Sequence, residues 1–217
     1  TDPSLGKTAR RTDLAQQILN HLQDAAHLTG MKHEAANDRT NREEQALLVE
    51  RARSGCRTSF AHLARHWHPR LIAHAYRLLG DREQAHDATQ SAWVEIARGI
   101  RKLRDPLAFP AWSYRIVTRR CASLVSSLQA DRALISELSI DAGEPGDWQA
   151  DASMSVLVRR AITRLPAGQR AALALFYHEG LSVAETAVAL DIPAGTVKTR
   201  LMHARRNLAE LLKGDAP

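Results

Sequence analysis

Hydrophobic residues recur at helical spacing along almost the whole chain, whereas runs of alternating apolar and polar residues are nearly absent. Because apolar residues three and four positions apart fall on one face of a helix, this pattern predicts an all-α protein. We expect two groups of helices, at 44–54, 57–79, 81–103 and 107–128, and at 153–164, 167–178, 182–190 and 194–213.

Residues 129–152 separate the two groups and differ from both in composition. Acidic residues outnumber the single Arg132, and the sequence GEPG is incompatible with a continuing helix. We interpret this stretch as a flexible acidic linker, long enough for the flanking domains to move independently. The chain is therefore predicted to hold one helical domain at 44–128 and another at 153–213.

Residues 1–43 form an N-terminal extension in which Leu14, Ile18 and Leu22 predict a short amphipathic helix over 12–28. This helix could dock on a helical domain as a built-in inhibitor, or mediate an oligomer contact. The alternative is a disordered extension. Met31 is a candidate native start.

The overall composition favours a cytoplasmic protein with a polyanionic partner. The 217 residues carry a formal net charge of +6, which makes nucleic acid a plausible partner. Only two cysteines occur, far apart in the chain, so a reducing compartment is the simpler assumption. No apolar run approaches the roughly 20 residues that span a bilayer, and the N-terminus lacks the apolar core of a secretory signal.

The last two predicted helices have the layout of a helix-turn-helix, a short helix at 182–190 followed by a turn and a longer helix. Ser182 and Glu185 have the spacing of a capping box. In the second helix Val197, Leu201 and Leu208 form an inward stripe. The outward residues carry hydrogen-bond donors that suit base edges and phosphates. An ordinary solvated helix is the alternative, and the short helix and turn before it favour DNA. The candidate DNA-binding residues are Thr196, Lys198, Thr199, Arg200, His203 and Arg205.

The stretch LPAGQRAALALFYHEGLSVAETAVALDIPAGTVKTRLMHARRNL closely resembles region 4 of bacterial sigma factors of the extracytoplasmic-function (ECF) group. The first domain resembles region 2 of the same family through GDREQAHDATQSAWVEIAR and DPLAFPAWSYRIVTRR. Both resemblances occur in the family's order, with a linker of suitable length between them.

The resemblance implies a sigma factor that binds core RNA polymerase, recognises a promoter and helps to open its strands. Residues on the third predicted helix would contact the polymerase, namely Asp87, Gln90 and Trp93. The fourth predicted helix would meet the melted downstream promoter element, where aromatic rings can stack on bases and arginines can neutralise phosphates. The residues concerned are Trp112, Tyr114, Arg115, Arg119 and Arg120. The outward residues of the last helix would read the upstream element as duplex. The family also implies control by an anti-sigma factor.

Two other functions are alternatives: a sigma-like mimic that binds an anti-sigma factor without touching DNA, and a simple helix-turn-helix repressor, which would leave the first domain unexplained. His62 and His66 have the spacing of metal ligands, but no cysteine or carboxylate completes a site, so we expect solvated helix faces and no metal. No catalytic constellation or phosphate-binding glycine loop is present. We therefore expect neither enzymatic activity nor a cofactor.

Overall fold

The structure is a computed structural model that describes residues 35–135 and 161–214, where it contains helices and turns but no strand. The first domain consists of α1 (Ala35–Arg53), α2 (Arg57–Leu79), α3 (Arg82–Gly99) and α4 (Phe109–Ile135). Two 3-10 turns, Ile100–Lys102 and Pro106–Ala108, connect α3 to α4. The second domain contains α5 (Ala167–Leu173), a π-helical turn (Ala174–His178), α6 (Val183–Leu190) and α7 (Ala194–Gly214). The all-α prediction is confirmed.

Two helices are longer than the sequence pattern predicts. Helix α1 begins at Ala35, within the stretch that was assigned to the N-terminal extension. Helix α4 continues to Ile135, into the predicted linker, because no glycine or proline interrupts the chain there. The predicted helix at 12–28, Met31 and the remainder of the linker lie outside the described residues.

Specific side chains and one glycine fix the helix ends in the first domain. Gly80 adopts a left-handed conformation with φ 75° and donates its N–H to the carbonyl of Tyr76 at 2.8 Å, which ends α2. The carboxylate of Asp81 then accepts the N–H of Gln84 at 2.9 Å and caps α3. The GD sequence therefore turns the chain and starts the next helix within two residues.

The core of the first domain is built from apolar side chains of α2, α3 and α4, with an aromatic centre. The Trp67 ring packs edge-on against Phe109 and Tyr114, with centroid separations of 5.6 and 5.9 Å. Leu63 and Ile96 are completely buried beside them. This core holds α3 and α4 in fixed orientations, so their outward residues are presented on a rigid support.

The two domains are in contact. Helix α6 packs along α4, and Leu175, Leu181 and Ala189 of the second domain belong to the same buried cluster as the core of the first. We expected the domains to move independently because of the length of the linker. The structure shows instead a shared apolar core, which outweighs the freedom that a long linker provides.

Candidate nucleic-acid and polymerase interfaces

The helix-turn-helix is formed by α6, a tight turn and α7, as the sequence predicts. The hydroxyl of Ser182 accepts the N–H of Glu185 at 3.2 Å, and the carboxylate of Glu185 accepts the N–H of Ser182 at 2.8 Å. This reciprocal capping box starts α6. Asp191 adopts a left-handed conformation with φ 55° and ends it. The chain then reverses over Pro193 into α7, whose first turn forms through Thr196 N–H to the Pro193 carbonyl at 2.9 Å.

Helix α7 has one buried face and one exposed face. The predicted inward stripe is confirmed, because Val197, Leu201 and Leu208 are between 0 and 5% exposed. The predicted DNA-binding residues lie on the remaining surface. Thr196, Lys198 and Thr199 are exposed, whereas Arg200, His203 and Arg205 are half-buried.

The half-buried arginine at position 200 rests on α5. Its guanidinium lies against Gly168, where an added Cβ would come within 3.1 Å of Arg200 Cζ. Only a glycine allows this close approach without a shift of the arginine. The early part of α7 therefore exposes Thr196, Lys198 and Thr199, with the Thr199 hydroxyl donating to the Gly195 carbonyl at 3.1 Å and Arg200 held to one side.

On α4, two of the five predicted downstream-promoter residues share one carboxylate. Arg120 donates to Glu95 Oε2 from Nη2 at 2.7 Å and from Nε at 3.1 Å, and Arg119 donates to Glu95 Oε1. Burial of Glu95 raises its pKa, but the two arginines outweigh this effect and lower the pKa below its usual value. The structure therefore brings Arg119 and Arg120 together and places a counter-charge on both.

The aromatic residues of α4 differ in their exposure. Trp112 is half-buried and packs against Phe109 at a centroid separation of 6.0 Å, and its ring lies so close to Gly99 that a Cβ there would be 2.9 Å from Trp112 Cζ2. Tyr114 is only 1% exposed, and its hydroxyl donates to Glu179 of the second domain. In this conformation Trp112 can offer an edge to a base, but Tyr114 cannot stack on one.

On α3, the predicted polymerase-contacting residues Asp87 and Gln90 are both exposed. Trp93 is half-buried and meets Phe60 edge-on at 6.0 Å, so most of its ring belongs to the core. Val94, four positions after Gln90, is 50% exposed and adds an apolar side chain to the same face. Sequence reasoning missed Val94, although its spacing from Gln90 could have indicated it.

Sequence reasoning also missed the polar contacts between the domains. Glu179 accepts hydrogen bonds from Arg77 and Tyr114, and Arg115 Nη2 lies 2.7 Å from Asp191 Oδ2. Burial raises the pKa of Glu179, and the nearby Arg77 and Tyr114 only partly oppose this. The pKa of the Tyr114 hydroxyl is also raised, first by burial and then by the charge of Glu179.

Several histidines and both cysteines lie outside the surfaces described above. Within the described ranges, no three histidine, cysteine or acidic residues are grouped so that they could hold a metal ion. His66 is hydrogen-bonded to Gln45 at 3.2 Å. The thiol of Cys56 is exposed and its pKa is lowered to about 7 by the hydroxyls of Ser59 and Thr58, whereas burial raises the pKa of Cys121 to about 12. Among the helices described, none has the length and apolarity to cross a bilayer.

Comparison with known proteins identifies both domains. Residues 63–130 match the family described as sigma-70 region 2, and residues 155–208 match sigma-70, region 4. The chain is 33% identical over 183 residues to the ECF RNA polymerase sigma factor SigM of Mycobacterium tuberculosis (strain Erdman), covering 84% of this chain and 88% of that protein. It is 26% identical over 177 residues to the ECF RNA polymerase sigma factor SigW of Bacillus subtilis, covering 76% and 95%.

Two solved structures share the fold. One is the sigma factor RpoE of Bartonella quintana in complex with the anti-sigma factor NepR, with a TM-score of 0.61, 24% identity, and coverage of 71% of this chain and 96% of that one. The other is CnrH in complex with the cytosolic domain of CnrY, with a TM-score of 0.60, 23% identity, and coverage of 79% and 98%. The alignment with a relative at 33% identity covers most of this chain and most of that protein, and the two sigma-70 regions occur in order. This chain therefore belongs to the extracytoplasmic-function group of RNA polymerase sigma factors.

Proposed function

We propose that this chain works as an alternative sigma factor through three surfaces of the described domains. The exposed face of α3, with Asp87, Gln90 and Val94, docks on core RNA polymerase. Helix α4 meets the melted downstream promoter strand, and α7 reads the upstream promoter element as duplex. The polymerase supplies the chemistry, and this chain supplies binding in the cytoplasm, where the polymerase acts.

The observation that carries the proposal is the geometry of α7. A buried stripe anchors one side of the helix, while Thr196, Lys198 and Thr199 project from its first turns, directly after the turn of the helix-turn-helix. This is the position from which a recognition helix contacts base edges in the major groove. Within this assignment, Lys198 neutralises a phosphate or contacts a base edge, and the half-buried Arg200, His203 and Arg205 add phosphate contacts farther along the groove.

The polymerase-docking face combines polar and apolar contacts. Asp87 and Gln90 offer acceptors and a donor to a basic partner surface, and Val94 supplies a desolvated contact beside them. Trp93 supports this face from below through its packing on Phe60. We assign Trp93 to positioning the face rather than to direct contact.

An anti-sigma factor is the proposed regulator of this chain. The sigma factor RpoE, which shares its fold at a TM-score of 0.61, was solved in complex with the anti-sigma factor NepR. We extend this mode of control to the present chain. A protein that co-purifies with the chain from its own cell should stop transcription when it is added back to the reconstituted polymerase.

Two binding measurements test the surfaces separately. Asp87→Ala combined with Gln90→Ala should weaken binding to core polymerase at least about tenfold, because truncating central polar contacts costs more than about 1.4 kcal/mol. Glu44→Ala, which removes one exposed charge from α1, is the control.

Lys198→Ala should reduce the slope of log affinity against log salt for promoter duplex by about 0.9, the value for one phosphate contact. Unchanged binding in both experiments would contradict the proposal.

A further inference from the structure

A glycine of α5 provides the place in which an arginine of α7 lies. A Cβ added at Gly168 would come within 3.1 Å of Cζ and Nη1 of Arg200 and within 3.4 Å of its Nε. Because three atoms of the guanidinium are almost equally close, the group rests on α5 with its side and does not merely touch it with one end. Any side chain at position 168 would therefore compete with Arg200 for this place.

A second contact between the same two helices fixes the rotation of α7. Arg200, Ala204 and Asn207 are spaced four and three residues apart, so they lie on one face of α7. Ala204 is completely buried, and Asn207 Nδ2 donates to Gln169 Oε1 at 3.0 Å. Two consecutive residues of α5, Gly168 and Gln169, thus hold the two polar residues of this face. Rotation of α7 about its axis would break both contacts.

The guanidinium of Arg200 is held in place but is not neutralised. Within the two described stretches of the chain it has no hydrogen bond or ion pair, whereas Arg115, Arg119 and Arg120 of α4 each pair with a carboxylate. A guanidinium carries five N–H donors in one plane and can bind a phosphate through two of them at once. Arg200 is therefore both positioned and unpaired, which are the properties that a phosphate-binding group requires.

The backbone does not require a glycine at position 168. Among the described glycines, Gly55, Gly80 and Gly180 have positive φ angles, whereas Gly168 does not. A glycine within a helix also costs stability relative to alanine. The room that Gly168 leaves for Arg200 is thus the feature that a larger residue would remove.

We propose that Gly168 is a positioning residue for DNA binding, because it leaves room for Arg200 on α5 and so prepares the guanidinium to contact a phosphate of duplex DNA. Binding then costs less conformational entropy, since the long side chain is already placed before the DNA arrives. This inference deepens the proposed function and rests on it, in particular on the assignment of α7 to the upstream promoter duplex.

Three variants of the full chain separate this role from helix stability. Gly168→Ala requires Arg200 to move by a few tenths of an ångström, and Gly168→Leu fills the place. Ala167→Leu is the matched control, because it adds the same side chain at the preceding, exposed position. Alanine and leucine favour a helix more than glycine does, so circular dichroism should show melting temperatures of the Gly168 variants no lower than that of the native chain. If the glycine served packing alone, both variants would melt earlier and would bind DNA with the native salt dependence.

Fluorescence anisotropy measures binding to a short DNA duplex of mixed sequence over a range of salt concentrations. Phosphate contacts do not depend on base sequence, so this probe is sufficient. Gly168→Leu should reduce the slope of log affinity against log salt by about 0.9, the value for one phosphate contact, which corresponds to about fivefold in affinity at about 0.15 M salt. Gly168→Ala should fall between Gly168→Leu and the native chain, and Ala167→Leu should match the native chain.

The Arg200→Ala background shows whether the effect passes through the arginine. In that background Gly168→Leu should cause no further loss of affinity, because the group that it displaces is absent. An equal loss in both backgrounds, or the native slope in a folded Gly168→Leu variant, overturns the inference. If Gly168→Leu does not fold, Gly168→Ala decides: a smaller slope than that of Ala167→Leu supports the inference, and an equal slope refutes it.

Failure of the proposed function shows separately. If Arg200→Ala leaves the slope unchanged while Lys198→Ala reduces it, the inference about Gly168 is overturned and the assignment of α7 to duplex DNA stands. The absence of transcripts when the native chain is added to core polymerase contradicts the proposed function itself.

Discussion

His74 provides a quantitative test of the packing beneath α4. Its ring is completely buried, lies 3.0 Å from Thr118 Oγ1 through Nε2, and meets the Tyr114 ring edge-on at a centroid separation of 5.0 Å. Burial lowers the pKa of His74 from 6.5 to about 3, and the neighbouring charges of Arg77 and His178 act in the same direction. The folded protein therefore holds this histidine neutral at pH values where the unfolded chain protonates it.

The direction of the pH effect follows from linkage. Below pH 6.5 the unfolded chain binds a proton at this position and the folded chain does not, so stability falls as the pH falls, down to about pH 3. The loss is about 1.36 kcal/mol for each pH unit below 6.5. At pH 5 it amounts to about 2 kcal/mol, a large fraction of the stability of a small domain.

Urea unfolding followed by tryptophan fluorescence at pH 7 and pH 5 measures this loss. The His74→Gln variant is less stable at pH 7, but it should lose about 2 kcal/mol less than the native chain between the two pH values. His62→Gln, at an exposed position of the same helix, should show the native pH dependence. Equal losses in the native chain and in His74→Gln would refute the reasoning.

Four further variants test individual positions. Glu95→Gln should release Arg119 and Arg120 and steepen the salt dependence of single-strand DNA binding by about 0.7 for each added phosphate contact; an unchanged slope in anisotropy titrations would contradict this. Leu71→Ala, at a fully buried position, should cost about 2–5 kcal/mol in chemical denaturation, whereas Leu107→Ala, at a position 56% exposed, should stay within about 0.5 kcal/mol. Ser182→Ala should cost about 1 kcal/mol through loss of the capping box, and a melting temperature equal to that of the native chain would exclude this role.

Local sequence signals were sufficient for the elements and for the surface of α7. The spacing of Val197, Leu201 and Leu208 predicts which face of the helix is buried, because helical periodicity is a property of neighbouring residues. The pair Ser182 and Glu185 predicts the start of α6 for the same reason. The start of α1 and the end of α4 were harder to predict, since no glycine or proline directly marks them.

The contact between the domains could not be predicted from local patterns. Tyr114 and Glu179 are 65 residues apart in the chain, and Arg77 and Glu179 are 102 residues apart. Helical periodicity shows that Tyr114 lies near an apolar face, but not that its hydroxyl reaches Glu179 of the second domain. The buried position of Tyr114 and the pairing of Arg115 depend on tertiary packing.

Transcription by purified core RNA polymerase on a promoter library, with and without this chain, tests the central claim most directly. The account predicts transcripts that start at specific promoters only when the chain is present, and that disappear when Lys198 and Arg200 are both replaced by alanine. Lys102→Ala, which removes an exposed charge between α3 and α4, should leave them in place. A chain that binds core polymerase but never starts a transcript, or that starts transcripts independently of Lys198 and Arg200, would contradict the account.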